Sequence, residues 1–87
     1  MKYEVAYTQQ AVRELKKLDK YTRDLVLSWI EKNLVGCLDP RRCGKGLTAN
    51  RSGQWRYRIG DYRLIAEIDD GKVTILLLNI GHRREIY

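Results

Sequence analysis

Two cysteines and one histidine are all the Cys and His side chains that this 87-residue chain can offer a metal. Cys37 and Cys43 share one stretch, and His82 lies far from both. A structural zinc site takes about four such ligands, so a fold built around a metal is excluded. The acidic residues are scattered, with no carboxylate cluster of the kind that holds Mg²⁺. There is no Ser-His-Asp pattern, and a single histidine precludes a two-histidine nuclease. No apolar run approaches the ~20 residues that a membrane-spanning helix needs. "MKYEVAY" carries no apolar signal-peptide core, so the expectation is a cytoplasmic protein with both thiols reduced. Repeats and low-complexity stretches are absent too. The length leaves room for one core, and residues 1–87 read as a single domain.

Positive charge is what the chain has in excess. Seventeen Lys and Arg against eleven Asp and Glu leave +6, which points to an anionic partner, either nucleic acid or an acidic protein. The excess is local. Arg41, Arg42, Lys45, Arg51, Arg56, Arg58 and Arg63 are accompanied by a single acid, Asp61. Six of these seven are arginine, whose planar fork suits phosphate. A hydrophobic content of 44% supplies a real core and rules out a disordered chain.

Periodicity gives the elements. "KYEVAY" alternates with Tyr3, Val5 and Tyr7 on one face, a first strand. Thr8 is placed to cap a helix from Gln9 to about Leu18, with Ala11, Leu15 and Leu18 at helical spacing. Thr22 can cap a second helix, whose buried stripe is Leu25, Val26, Trp29, Ile30 and Leu34. Gly36 and Pro40 stop it near Val35. "GCLDPRRCGKGLTANRSGQ" reads as a loop. Its "GKGLT" is not a phosphate-binding P-loop, because Asp39 and Gly46 occupy positions where that pattern needs Gly and Ser or Thr. "QWRYRI", "YRLIAEI" and "VTILLLNI" are strands joined by two hairpin-compatible turns. The order is β-α-α-β-β-β, an α+β fold with a helical hairpin covering one face of an antiparallel sheet.

A two-residue turn at Gly60-Asp61 sets Arg58 opposite Arg63, with Arg56 close by on the same face. Trp55, Tyr57, Ile59, Tyr62, Leu64 and Ala66 then form the core face, which takes the aromatic residues away from base stacking. Like charges directly opposed on a sheet are destabilising, so the register predicts that removing Arg63 leaves the protein no less stable. A type I′ turn at Asp70-Gly71 sets Arg63 beside Leu78. The last strand then ends by the Gly60-Asp61 turn, and His82, Arg83, Arg84 and Tyr87 can fold back over the arginines. The bland alternatives are a solvated basic face and a frayed tail.

Converging guanidiniums make a phosphate site. Without metal ligands, the chemistry left is phosphoryl transfer within RNA, in which a ribose 2′-OH attacks its own 3′ phosphate. Arginines stabilise the developing charge. The proton acceptor is Tyr87 or His82, because arginine stays protonated. No cofactor is called for.

The segments "WRYRIGDYRLIAEI", "VTILLLNIGHRREIY" and "AVRELKKLDK" together resemble the RelE branch of the RelE/ParE toxin superfamily, over nearly the whole chain. The resemblance implies a RelE-like fold and the toxin of a toxin–antitoxin pair. It further implies metal-free mRNA cleavage in the ribosomal A site and silencing by a cognate antitoxin. Arg56 and Arg58 match two basic positions that are lysines in the best-known members, one of them a proposed general base. An arginine at Arg58 cannot easily play that part. Arg63 matches a phosphate-binding arginine, Arg83 one proposed to stabilise or protonate the leaving group, and Tyr87 a tyrosine that stacks on or orients the nucleotide. His82 matches a residue of one sub-branch. Arg58, Arg63, His82, Arg83 and Tyr87 are therefore the candidate catalytic residues. Lys45, Arg51, Arg56 and Arg84 are the candidate RNA contacts. A ParE-like inhibitor of DNA gyrase, which catalyses nothing, is the alternative; such relatives generally lack the set in "GHRREIY".

Overall fold

The computed structural model describes residues 2–46, 54–82 and 84. Thr8 joins the first strand, β1 (Glu4–Tyr7), to the first helix, α1 (Gln9–Lys17). Its hydroxyl accepts the Ala11 N–H at 3.1 Å, as an N-cap should, and donates to the Leu77 carbonyl at 2.9 Å. Ala11 and Leu15 are buried as their spacing predicts, and Leu18 packs against the same core.

The second helix, α2 (Lys20–Asn33), starts earlier than the sequence suggests. Asp19, not Thr22, is its N-cap. The carboxylate accepts the Thr22 backbone N–H at 3.1 Å and the Thr22 hydroxyl at 2.6 Å. Those bonds, the hydroxyl's first, hold the Asp19 pKa below the ordinary aspartate value. Val26, Ile30 and Leu34, spaced by four, form the fully buried row, and Trp29 packs tilted on Tyr57 with ring centroids 5.6 Å apart. Leu25 lies about 100° around the helix from Val26 and is 47% exposed, so it leaves the expected stripe. The helix ends on Leu34, with Gly36 at a φ of 72° beyond it. Gly36 N–H then donates to the Tyr3 carbonyl and Tyr3 N–H to the Cys37 carbonyl, both at 2.9 Å.

The remaining strands are β2 (Gly44–Gly46), β3 (Gln54–Ile59), β4 (Tyr62–Asp69) and β5 (Thr74–His82), in the order β1-β5-β4-β3-β2. The α+β class stands, with both helices on one face, but the sheet is mixed. β1 runs parallel to β5, from Glu4 opposite Thr74 to Tyr7 opposite Leu77. β1 leaves the sheet through the helical hairpin, and the chain returns by an antiparallel meander. Its last strand reaches β1 running in the same direction.

β2 lies inside the segment read as a loop, and its existence has a tertiary cause. The Trp55 indole lies across Gly46 and Gly44. A Cβ on Gly44 would stand 2.5 Å from the Arg56 carbonyl oxygen and 2.7 Å from Trp55 Cδ1. One on Gly46 would stand 2.8 Å from Trp55 Cζ3. "GKG" is thus a seat for a tryptophan ring.

The β3–β4 register is the expected one, with Arg58 opposite Arg63. The β4–β5 register is not. Its turn spans Asp70 to Val73, closed by Lys72 N–H on Asp69 Oδ1 at 3.1 Å, and it places Val73 rather than Gly71 at positive φ (51°). A bulge between Ile65 and Ala66 shifts the pairing again. Arg63 therefore faces Gly81 instead of Leu78. That offset is an odd number of residues, so it exchanges the two faces of β5 beyond the bulge.

Candidate nucleic-acid interface

The sheet face away from the helices carries the cations in two rows. Lys45, Arg56, Ile65 and Asn79 pair across β2 to β5, and Arg58, Arg63 and Gly81 pair across the neighbouring row. A cavity of about 330 Å³ opens there, lined by Arg42, Cys43, Gly44, Lys45, Arg56 and Arg58. Lys45 and Arg58 are exposed and Arg56 is half-buried. Four cations around one concavity have the charge and the donors to receive a phosphate. Arg42, which is not among the candidate catalytic residues or RNA contacts, also lines this cavity. Its only sequence signal was membership of the basic run.

Arg63 belongs to the same face but is only 8% exposed. Its Nη1 donates to the Tyr62 carbonyl at 3.1 Å and, at 3.4 Å, toward the Gly60 carbonyl. It braces the turn that ends the hairpin, with Gly60 at a φ of 59°. Its burial and these bonds set a cost against the relief of repulsion that the register alone predicts for its removal.

Arg41 takes no part. Its guanidinium forms two 3.0 Å bonds with the Asp70 carboxylate and lies 5.9 Å from the centre of the Trp55 ring. Tyr3 also donates its hydroxyl to Asp70, at 2.7 Å. The Arg41 bonds, and then that of Tyr3, hold the Asp70 pKa below its ordinary value. This clamp ties the loop after α2 to the β4–β5 turn.

His82 stands on the helical side. The bulge puts it opposite Tyr62, with the two rings edge to face at 5.5 Å. It lines a second cavity of about 350 Å³ with Glu14, Lys17, Asp19 and Tyr62. Its Nδ1 accepts the Arg84 backbone N–H at 3.3 Å. The structure thus brings Lys45, Arg56 and Arg58 together beside Arg63 and sets His82 across the sheet from them. Arg84 is exposed. Arg51, Arg83 and Tyr87 lie outside the described residues. Tyr57 is fully buried and donates its hydroxyl to the Pro40 carbonyl, and burial raises its pKa. It has no free ring face for a base.

Among the described residues, no three His, Cys, Asp or Glu side chains gather where they could hold a metal ion, and no helix is long and apolar enough to cross a membrane.

Comparison with known proteins gives the family. A family model described as the ParE toxin of the type II toxin–antitoxin system, parDE, matches residues 5–87. The toxin RelG of Mycobacterium tuberculosis is 36% identical over 87 residues, covering 100% of this chain and 98% of that protein. The toxin RelE of the same organism is 32% identical over 85 residues, covering 98% of this chain and 86% of the relative. A crystal structure of the M. tuberculosis toxin–antitoxin complex RelBE2 contains a chain that superposes with a TM-score of 0.86 at 34% identity. The match covers 95% of this chain and 93% of that one.

Proposed function

Because the chain belongs to the RelE/ParE toxin superfamily, as a RelE-type toxin, we propose that it cleaves mRNA in the ribosomal A site and is silenced by a cognate antitoxin. The observation that carries this reading is the cation-lined cavity beside the Arg58–Arg63 pair. The toxin–antitoxin pairing named for the RelBE2 complex supports the antitoxin as partner.

In the proposed reaction the 2′-oxygen forms a bond to phosphorus and the bond from phosphorus to the 5′-oxygen breaks. The products are a 2′,3′-cyclic phosphate and a 5′-hydroxyl. Arg58 and Arg63 stabilise the charge that builds on the phosphorane oxygens, a task that suits groups held in place before the substrate arrives. Arg56, Lys45, Arg51 and Arg84 contact the backbone of mRNA and ribosomal RNA. Arg83 stabilises or protonates the departing 5′-oxygen. Tyr87 or His82 takes the 2′ proton. Of the two, Tyr87 is the first choice, because His82 lies on the helical side of its strand. Neither a cofactor nor a metal ion enters the scheme.

The family description names ParE, which favours a second reading, a non-catalytic inhibitor of DNA gyrase. One experiment separates the two. The protein is added to a defined translation reaction, mRNA ends are mapped, and gyrase supercoiling is assayed in parallel. Cleavage inside the A-site codon with normal supercoiling is the expected result. Intact mRNA with inhibited gyrase overturns the nuclease reading.

A further inference from the structure

We propose that Glu14, on α1, is a positioning residue for RNA cleavage, holding the end of β5 in register with the arginine face. This role rests on the nuclease reading. β1 ends at Tyr7, opposite Leu77. Thr8 then closes that edge, its N–H donating to the Leu77 carbonyl at 3.1 Å and its hydroxyl reaching those of Leu77 and Leu78. β5 runs on to His82 with no further β1 residue to pair with. A buried backbone N–H on that edge needs an acceptor. Glu14 Oε1 accepts the Ile80 N–H at 2.8 Å. Its other oxygen accepts Gln10 Nε2 at 3.1 Å, and Gln10 Oε1 accepts Arg13 Nη2 at 3.2 Å. The carboxylate is thus oriented by a row of side chains along α1.

The bond falls where register matters most. Ile80 pairs with Leu64, and the next residue, Gly81, pairs with Arg63. The β4–β5 pairing has already been shifted at the Ile65/Ala66 bulge. A charge-assisted bond to Ile80 fixes the strand on the far side of that irregularity. The contact is remote from phosphate, so it acts only by holding backbone in place.

The test compares wild type with Glu14→Ala, Glu14→Gln and Glu14→Asp. Single-turnover cleavage on programmed ribosomes, ribosome affinity, and amide exchange at Ile80 are each measured. Glutamine keeps an acceptor at the same reach and should restore most activity. Alanine and the shorter aspartate should slow cleavage by about 10–10²-fold, the scale of a misplacement of about 1 Å, with affinity preserved and Ile80 exchange accelerated. If the alanine variant does not fold, the glutamine–aspartate contrast decides. Alanine or aspartate cleaving at the wild-type rate, glutamine as slow as aspartate, or a loss seen only in affinity overturns the role. A wild type that cleaves nothing overturns the nuclease reading and this role with it, whereas failure confined to the variant contrasts overturns this role alone.

Discussion

Replacing Arg63 with alanine removes a guanidinium that is 8% exposed and donates to the Tyr62 carbonyl at 3.1 Å. Two effects oppose each other. Relief of the directly opposed Arg58 stabilises by about 0.2–1 kcal/mol. Loss of a bond from a charged donor costs about 1.5–3 kcal/mol. The contact to Gly60 at 3.4 Å lies beyond the usual N–H···O range of about 2.7–3.2 Å and adds little. The balance is a destabilisation of about 0.5–3 kcal/mol. At about 4–8 °C per kcal/mol for a small domain, Tm should fall by about 2–24 °C. Arg58→Ala relieves the same repulsion from an exposed position, so its Tm should be unchanged or slightly raised. Both variants should lose about 10²–10³ in single-turnover cleavage, the usual consequence of removing a preorganised donor. Thermal melts beside cleavage rates make the comparison. The reasoning is refuted if Arg63→Ala melts at or above wild type, or if Arg58→Ala falls as far.

Gly44→Ala drives a methyl group into the Arg56 carbonyl and the Trp55 ring; it should lower stability by about 1–3 kcal/mol, read from the denaturant midpoint. Asp70 has a depressed pKa in the fold, so its contribution is fully present above the ordinary aspartate pKa and is lost as pH falls through the lower folded value. Asp70→Asn should therefore melt earlier than wild type near neutral pH by a small margin, with the gap closing in acid; parallel Tm curves would contradict the clamp. Tyr87→Phe should slow cleavage more than it weakens ribosome binding, and His82→Gln should do less. Wild-type rates for both would mean that the arginines act by electrostatics alone.

The first helix and the first hairpin were legible because local chemistry decides them: a threonine cap before a periodic apolar row, and a two-residue Gly-Asp turn that leaves one register. The start of the second helix was not. Asp19 and Thr22 are both capping residues, and the choice falls to the mutual bonds they make in the fold. β2 has no side-chain pattern of its own, since its signal is the space that Trp55 needs. The parallel pairing of β1 depends on where a long connection returns. A valine at positive φ and a one-residue bulge are invisible in alternation; the turn moves the register by two residues, and the bulge, by one more, moved His82 from the arginine face to the helical face. The cluster of Lys45, Arg56 and Arg58 could be read from charge and parity. The diversion of Arg41 to Asp70 and the burial of Arg63 could not, because both depend on partners distant in sequence or on backbone carbonyls.

The most direct test of metal-free attack by the 2′-oxygen is cleavage of an mRNA carrying a single 2′-deoxynucleotide at the mapped A-site cleavage position. The account predicts no cleavage at that position, with normal ribosome binding, and a 2′,3′-cyclic phosphate on the all-ribose product. Cleavage of the deoxy-substituted message, or a product that arises directly with a 3′-hydroxyl, would contradict it.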